Sequence, residues 1–196
     1  MNLLAHALLA GEDDDVRFGS AIGDFVRGTI DPALPRGVRE GIALHRAVDA
    51  YTDAHPAVVA ARALFVPPFR RYAGILLDVW FDHLLARDWE RLVGGSLATY
   101  SQALQALLRQ RAGALPPRMH GFAAYLLRND LPAGYRERAM IAQVFLGLSQ
   151  RLARANPIAV ALPAIGEREA AIAAHFEAFY PDLRAYAERA RGNGQH

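Results

Sequence analysis

The segment YAGILLDVWFDHLLARDW, residues 72–89, most restricts how this chain can fold. Apolar side chains occupy nearly every side of its helical wheel, which predicts a helix that other elements must cover. The rest of the sequence shows helical periodicity between Gly and Pro breaks, with no sustained two-residue alternation and no Asn-Gly dipeptide joining two strand-like segments. We therefore predict an all-α fold in which this helix is central.

Glycine, proline and capping residues predict the helix boundaries. The expected helices cover about 2–10, 19–27, 36–54, 69–91, 97–112, 118–128, 134–154 and 165–178, with a last one opened by Pro181. The aspartates at 13–15 are expected in a solvated loop. With 53% hydrophobic and 21% charged residues, the 196-residue chain can form one globular domain. We predict a single-domain helical bundle over 1–190 and a flexible tail over 191–196.

The composition excludes several classes of site. The chain has no cysteine, which excludes disulfides, zinc–thiolate sites and thiol nucleophiles and fits a reducing compartment. The apolar start MNLLAHALLA lacks a basic segment before it, so a signal peptide is not expected. No run of about 18 apolar residues is present, so no membrane span is expected. We predict a cytoplasmic protein.

All basic side chains other than histidine are arginines, and the formal net charge is +2. Codon usage in a GC-rich genome is one explanation; the other is recognition of anionic groups by the guanidinium fork. An acidic protein partner would be bound by arginines of the N-terminal half: Arg36, Arg39, Arg62, Arg70 and Arg71. Nucleic acid is not expected, because acidic residues are evenly mixed in and no nucleic-acid motif is present.

Two helices carry carboxylates at four-residue spacing, which places them on one helical face. Asp78 and Asp82 lie in the apolar central segment, where burial is costly unless a cation or hydrogen bonds compensate. His45, Asp49 and Asp53 repeat the spacing in GIALHRAVDAYTDAHP. Salt bridges and a solvent-facing stripe are the alternatives. Facing stripes on packed helices would form an oxygen- and nitrogen-ligated metal site, which is the interpretation we favour.

Three further residues fall near these stripes in sequence or type. His6 lies in an apolar helix, as a core residue or a ligand, and Asp24 follows Gly23 as a cap, a salt bridge or a ligand. His83 follows Asp82 but points about 100° away on the wheel. The sequence has no nucleophile elbow, Walker loop, dinucleotide fingerprint or H-E-x-x-H motif. Metal-assisted hydrolysis by water fits these residue types best.

Four segments resemble, in order and spacing, those of the acyl carrier protein phosphodiesterases. They are MNLLAHALLA, GDFVRG, GIALHRAVDAYTDAHP and RRYAGILLDVWFDHLLARDW. The resemblance is collinear over residues 1 to about 90 and continues more loosely to FYPDL near 180. It implies hydrolysis of the phosphodiester between 4′-phosphopantetheine and a serine of holo-acyl carrier protein. It also implies a divalent cation, typically Mn²⁺ with Mg²⁺ as an alternative, and a fold distantly similar to HD-domain phosphohydrolases.

The resemblance also implies a set of site residues. The matching positions are His6, Asp24, His45, Asp49, Asp53, Asp78, Asp82 and His83. We predict Asp24, His45, Asp78 and Asp82 as metal ligands, with Asp49 and Asp53 as supporting carboxylates or a general base. Arg46 or Arg71 would neutralise phosphate charge, and His6 or His83 would protonate the leaving serine.

Two other functions are compatible with the same residues. One is a metal phosphohydrolase acting on a nucleotide or another small phosphodiester. The other is a non-catalytic helical protein that binds an acidic protein and uses its polar stripes as salt bridges. The basic surface favours a protein substrate over a small one, because a small-molecule enzyme needs no arginines outside its pocket.

Overall fold

The structure, a computed structural model, describes residues 1–192. Within that range it has α-helices joined by turns and 3₁₀ segments, and no β-strand. The helices are α1 (Leu3–Leu9), α2 (Asp14–Ile22), α3 (Arg36–Ala54), α4 (Pro56–Ala63), α5 (Ala73–Arg87), α6 (Trp89–Leu92), α7 (Leu97–Gln110), α8 (His120–Arg128), α9 (Arg138–Arg151), α10 (Leu162–Gly166) and α11 (Glu169–Gly192). The predicted all-α fold is confirmed.

The central position predicted for α5 is also confirmed. Eleven of its fifteen residues are buried, and it packs against α1, α9 and α11. Trp80, Phe81 and Leu84 are fully buried. A helix that is apolar on all sides is stable only when other helices cover it, and the surrounding helices provide that cover.

Two predicted boundaries differ from the structure. Asp13 caps α2, because its Oδ1 accepts hydrogen bonds from the backbone N–H groups of Asp15 at 2.8 Å and Val16 at 3.1 Å. The acidic run therefore starts a helix, where carboxylates favour the positive end of the helix dipole. The chain also continues through Pro181 as one helix, α11, since the buried residues Phe179 and Leu183 hold both sides of the proline in the core.

Helix α11 ends at Gly192, so the first two residues of the predicted tail are helical. The rest of that tail, residues 193–196, lies outside the described residues. No helix in residues 1–192 is both long enough and apolar enough to cross a membrane.

Helices α2 and α3 approach each other more closely than side chains would allow. A Cβ on Gly19 would lie 2.1 Å from the Val38 carbonyl oxygen, and one on Gly41 would lie 2.1 Å from the Val16 carbonyl oxygen. Both positions therefore require glycine. The close approach brings the last turn of α2 within hydrogen-bonding distance of the histidine on α3.

Candidate metal centre and active-site cavity

Imidazole and carboxylate groups from α1 and α3 meet at one point. His6 Nε2 lies 3.0 Å from Asp49 Oδ1, and His45 Nε2 lies 3.2 Å from Asp49 Oδ2. Asp24, in the 3₁₀ turn after α2, places its Oδ1 3.3 Å from His45 Nε2. One carboxylate thus bridges two histidines, and a second carboxylate flanks one of them.

The neighbouring backbone fixes the orientation of His45. Its Nδ1–H donates to the Ser20 carbonyl oxygen at 2.9 Å. A carbonyl oxygen only accepts, so Nδ1 carries the hydrogen and Nε2 is the atom that faces the carboxylates. Gly23 makes room for the ring, because a Cβ there would lie 2.3 Å from Cγ of His45. The imidazole therefore has little freedom to turn.

The charges of the group are strongly coupled. Burial lowers the pKa of His45, but hydrogen bonds to Asp24 and Asp49 and their negative charges outweigh this effect and raise that pKa to about 9. Partial burial raises the pKa of Asp49, but hydrogen bonds from His45 and His6 outweigh it and hold that pKa well below its usual range. A cation at His45 Nε2, a proton or a metal ion, is thus favoured at neutral pH.

The pKa of His6 is shifted in the opposite direction from that of His45. Its side chain is 2% exposed, and burial lowers its pKa to about 4, despite the hydrogen bond to Asp49. His6 is therefore neutral at physiological pH, as a metal-binding imidazole must be. Its Nδ1 is buried and has no hydrogen-bond partner within the described residues.

The donor set of this group fits a divalent cation. His6, His45 and Asp49 each offer one ligand atom, and these atoms lie within 4.8 Å of one another. Two imidazole nitrogens with a carboxylate oxygen suit first-row divalent metals. We call these three residues, with Asp24 beside them, the His-Asp group.

Asp78 and Asp82 contact the start of α1 rather than α3. The Met1 amino group donates to Asp78 Oδ1 at 2.8 Å. Asp82 is fully buried and accepts backbone hydrogen bonds from Asn2 at 3.1 Å, Leu4 at 2.7 Å and Ala5 at 3.3 Å. Asp82 thereby satisfies the free N–H groups at the start of α1, and it fixes the helix that carries His6.

The His-Asp group forms part of the wall of a cavity of about 380 Å³. The cavity is also lined by carboxylates of Asp53 and Asp78 and by apolar side chains of α5, α8 and α9. Phe25, next to Asp24, stacks on Phe122 of α8 with ring centroids 5.6 Å apart. The cavity thus joins a polar end that can bind a metal to an apolar wall.

The sequence of the chain identifies its relatives. The family profile for acyl carrier protein phosphodiesterase matches residues 1–183. The chain belongs to the acyl carrier protein phosphodiesterase family. The prediction from the four sequence segments is confirmed.

Relatives from other organisms are similar over nearly their full length. An acyl carrier protein phosphodiesterase of Photorhabdus laumondii is 34% identical over 189 residues, 96% of each chain. Proteins of the same name are 34% identical in Yersinia pestis and 33% identical in Escherichia coli O157:H7, covering 96% of this chain and 98% of theirs. No solved structure matches the chain.

In this member of the family, the predicted ligands are divided between two places. The structure brings Asp24 and His45 together with His6 and Asp49, which the sequence assigned to acid and supporting roles. Asp78 lines the same cavity, but Asp82 is not among the residues that line it. The geometry therefore favours a different ligand set from the one predicted.

Three of the predicted catalytic residues make other contacts. His83 is buried, its Nδ1–H donates to the Tyr135 carbonyl oxygen at 2.8 Å, and it does not line the cavity. Arg46 donates to the Val26 carbonyl oxygen at 3.0 Å. Asp53 does line the cavity, at its rim, and forms an ion pair with Arg62.

The five arginines predicted to bind a partner lie in two separate parts of the structure. Arg36, paired with Glu40, lies at the start of α3, whereas Arg62 pairs with Asp53 near its end. At 1.5 Å per residue, these points on α3 are about 25 Å apart. Arg39, one turn after Arg36, lies at the same distant end.

The remaining two arginines directly precede the part of α5 that lines the cavity, which begins at Ile75. Arg70 and Arg71 are exposed in the 3₁₀ turn before α5, and the Arg71 guanidinium lies 5.1 Å from the ring centre of Tyr72. With Arg62 they form the rim arginines: Arg62, Arg70 and Arg71.

Sequence reasoning missed the wall formed by α8 and α9. Phe122 and Tyr125 of α8 line the cavity, as do Val144, Gly147, Leu148 and Arg151 of α9. On α9 they recur at three- and four-residue spacing, so they share one helical face. The signal was a glycine and an arginine on an otherwise apolar face, but the same pattern also occurs at the edge of a core.

Proposed function

We propose that this chain hydrolyses the phosphodiester between 4′-phosphopantetheine and a serine of holo-acyl carrier protein, which gives apo-protein and free 4′-phosphopantetheine. The His-Asp group at the wall of a cavity, in a member of this family, is the observation that carries the proposal. A phosphodiester is resistant to hydrolysis, and a metal ion overcomes this resistance by activating a water molecule and polarising the phosphate.

The metal would be a divalent cation, with Mn²⁺ as our first choice and Mg²⁺ as the alternative. His6 Nε2, His45 Nε2 and the Asp49 carboxylate would hold it. A cation bound there would activate a water molecule and withdraw charge from the phosphate. Mn²⁺ is favoured because two of the three donors are imidazole nitrogens, which Mg²⁺ binds poorly.

The other residues of the site would orient the centre and handle protons. Ser20 holds His45 through Nδ1, and Asp82 holds α1 and with it His6. Asp24 pairs with His45, but its side chain is 64% exposed, and this carboxylate would accept the proton of the attacking water. His6 is not assigned the acid role predicted from the sequence, because its pKa of about 4 leaves no proton to donate at neutral pH.

Arg151 would neutralise the charge of the phosphate. It is the arginine that lines the cavity in the part of the chain that the structure describes. Its guanidinium lies 5.8 Å from the ring centre of Phe122 and forms no ion pair there. Arg46, predicted for this role, is instead bound to the Val26 carbonyl oxygen.

The rim arginines would contact the acidic surface of the carrier protein. Opposite charge at an interface accelerates association and orients the partner. Hydrolysis of the carrier should therefore slow as salt concentration rises, since exposed charges are screened.

Intact-mass measurement of holo-acyl carrier protein, incubated with the enzyme and Mn²⁺, tests the proposal directly. We expect loss of the 4′-phosphopantetheine mass, which EDTA and His45→Ala abolish. His120→Ala is the matched control, because His120 is exposed and does not line the cavity. Unchanged carrier mass would refute the proposal; turnover of a nucleotide instead would indicate a small-molecule phosphohydrolase, and no turnover a binding protein.

A further inference from the structure

Helix α9 presents an apolar face to the cavity that the chemistry above leaves without a role. Val144, Gly147 and Leu148 line the cavity, and Arg151 follows one turn later on the same face. Across from them, α8 contributes Phe122 and Tyr125. The space between these two helix faces is a groove that opens into the same cavity as the His-Asp group.

Gly147 is the residue that keeps this groove open. It lies inside α9, where glycine is less stable than alanine. A Cβ at Gly147 would meet no atom within 4 Å. Its φ is not in the left-handed region and no other backbone approaches it, so the fold does not require glycine here. Glycine at this position leaves space in the groove.

The groove belongs to the same cavity as the His-Asp group, and this indicates which part of the substrate fills it. A phosphodiester held at the His-Asp group carries two organic substituents, the carrier serine and the pantetheine arm. The carrier is a protein and must remain outside the cavity, so the arm is the substituent that can enter. The arm is uncharged, with methyl groups on a quaternary carbon and two amides, which suits an apolar groove with a tyrosine hydroxyl nearby.

We propose that the groove formed by Phe122, Tyr125, Val144, Gly147 and Leu148 binds the pantetheine arm, and that Gly147 determines whether the arm fits. This inference rests on the proposed function, since the arm enters only as part of the phosphodiester. It assigns substrate selection to α8 and α9 and leaves the reaction itself to the His-Asp group.

A series of substitutions at position 147 tests the groove. Gly147→Ala adds one methyl group and should slow the reaction less than Gly147→Leu, which fills the groove. For Gly147→Leu we expect kcat/KM on holo-acyl carrier protein to fall about tenfold or more, with calorimetric Mn²⁺ binding unchanged. Gly121→Leu is the matched control, because Gly121 also faces open space but does not line the cavity. A Gly147→Leu variant that folds, binds Mn²⁺ and retains full activity would overturn the inference.

Pantetheine without phosphate provides a readout that does not need turnover. Calorimetry should show saturable binding at millimolar concentration to the wild type and to Gly121→Leu, and its loss in Gly147→Leu. If the wild type shows no saturable binding, or if Gly147→Leu binds equally well, the proposal that the groove binds the pantetheine arm is wrong.

The two proposals can fail separately. If the wild type releases no 4′-phosphopantetheine but pantetheine binding depends on Gly147, the proposed reaction is wrong and the groove stands. If release occurs and the Gly147 variants neither slow it nor lose pantetheine binding, the reaction stands and the groove is wrong.

Discussion

The imidazole rings of His6 and His45 stack with their centroids 3.7 Å apart and their planes inclined by 20°. Two positive rings cannot be buried this close together at low cost, and the structure accommodates the pair by giving the rings different charges. Asp24 and Asp49 stabilise the proton on His45, while burial keeps His6 neutral. His6 can bind a metal without net loss of a proton, once the hydrogen that Nε2 donates to Asp49 moves to Nδ1, whereas His45 must lose one proton.

Metal binding should therefore depend on pH through His45. Its pKa is about 9, so below that pH an incoming metal ion must displace one proton. We expect Mn²⁺ affinity to weaken about tenfold for each pH unit below 9. Calorimetry at pH 7 in buffers of different ionisation enthalpy should count one proton released per ion. An affinity that stays constant between pH 6.5 and 8.5 would contradict this assignment.

Gly23→Ala should damage the metal centre without touching a ligand. The new Cβ would lie 2.3 Å from Cγ of His45, so the ring must move and lose its hydrogen bond to Ser20. We expect Mn²⁺ affinity to fall about ten- to a hundredfold, with activity falling in parallel. Gly113→Ala is the control, since a Cβ there meets nothing within 4 Å. Normal Mn²⁺ binding by Gly23→Ala would show that His45 is not held by this contact.

Asp82→Ala distinguishes a ligand from a residue that holds α1. The substitution leaves three backbone N–H groups without an acceptor, two of them buried, so we expect the free energy of unfolding to fall by about 3 kcal/mol or more. Asp88→Ala, which removes only exposed ion pairs with Arg87 and Arg91, should cost about 1 kcal/mol or less. Denaturant unfolding of metal-free protein measures both. Lost Mn²⁺ binding with unchanged stability would support the ligand role predicted from the sequence.

Charge reversal should distinguish the rim arginines from the arginines at the start of α3. Arg71→Glu, in the turn before α5, should raise KM for holo-acyl carrier protein several-fold with little change in kcat. Arg36→Glu, at the start of α3, should have a much smaller effect. Steady-state kinetics at low and high salt test the comparison, because added salt should diminish the difference. Equal effects of the two substitutions would restore the single basic surface predicted from the sequence.

Sequence periodicity identified which residues share a helical face but not which helix faces them. His45 and Asp49 were correctly placed on one face of α3, and Asp78 and Asp82 on one face of α5. The start of α1, however, covers the carboxylates of α5, and only the packing reveals their partners: the Met1 amino group for Asp78 and backbone N–H groups for Asp82. For the same reason His6, read as a core residue or a ligand, could not be assigned to Asp49 beforehand.

The apolar wall of the cavity could not be predicted from the sequence, for a different reason. A cavity lining and a hydrophobic core select the same side chains, so Val144 and Leu148 carry no sign of the space beside them. Gly147 was the available signal, but a glycine inside a helix also occurs where two helices touch, as Gly19 and Gly41 do in α2 and α3. Only the coordinates distinguish open space from close contact.

The residues of the His-Asp group all lie between positions 6 and 49, whereas the wall that faces them comes from α8 and α9, between positions 120 and 151. Under the two proposals, the gene encodes the reactive centre and the fit of its substrate in separate stretches. Substitutions in the later stretch can change the accepted prosthetic group while α1 to α3 stay as they are. Selection can thus diversify the substrates of this fold without rebuilding the chemistry that acts on them.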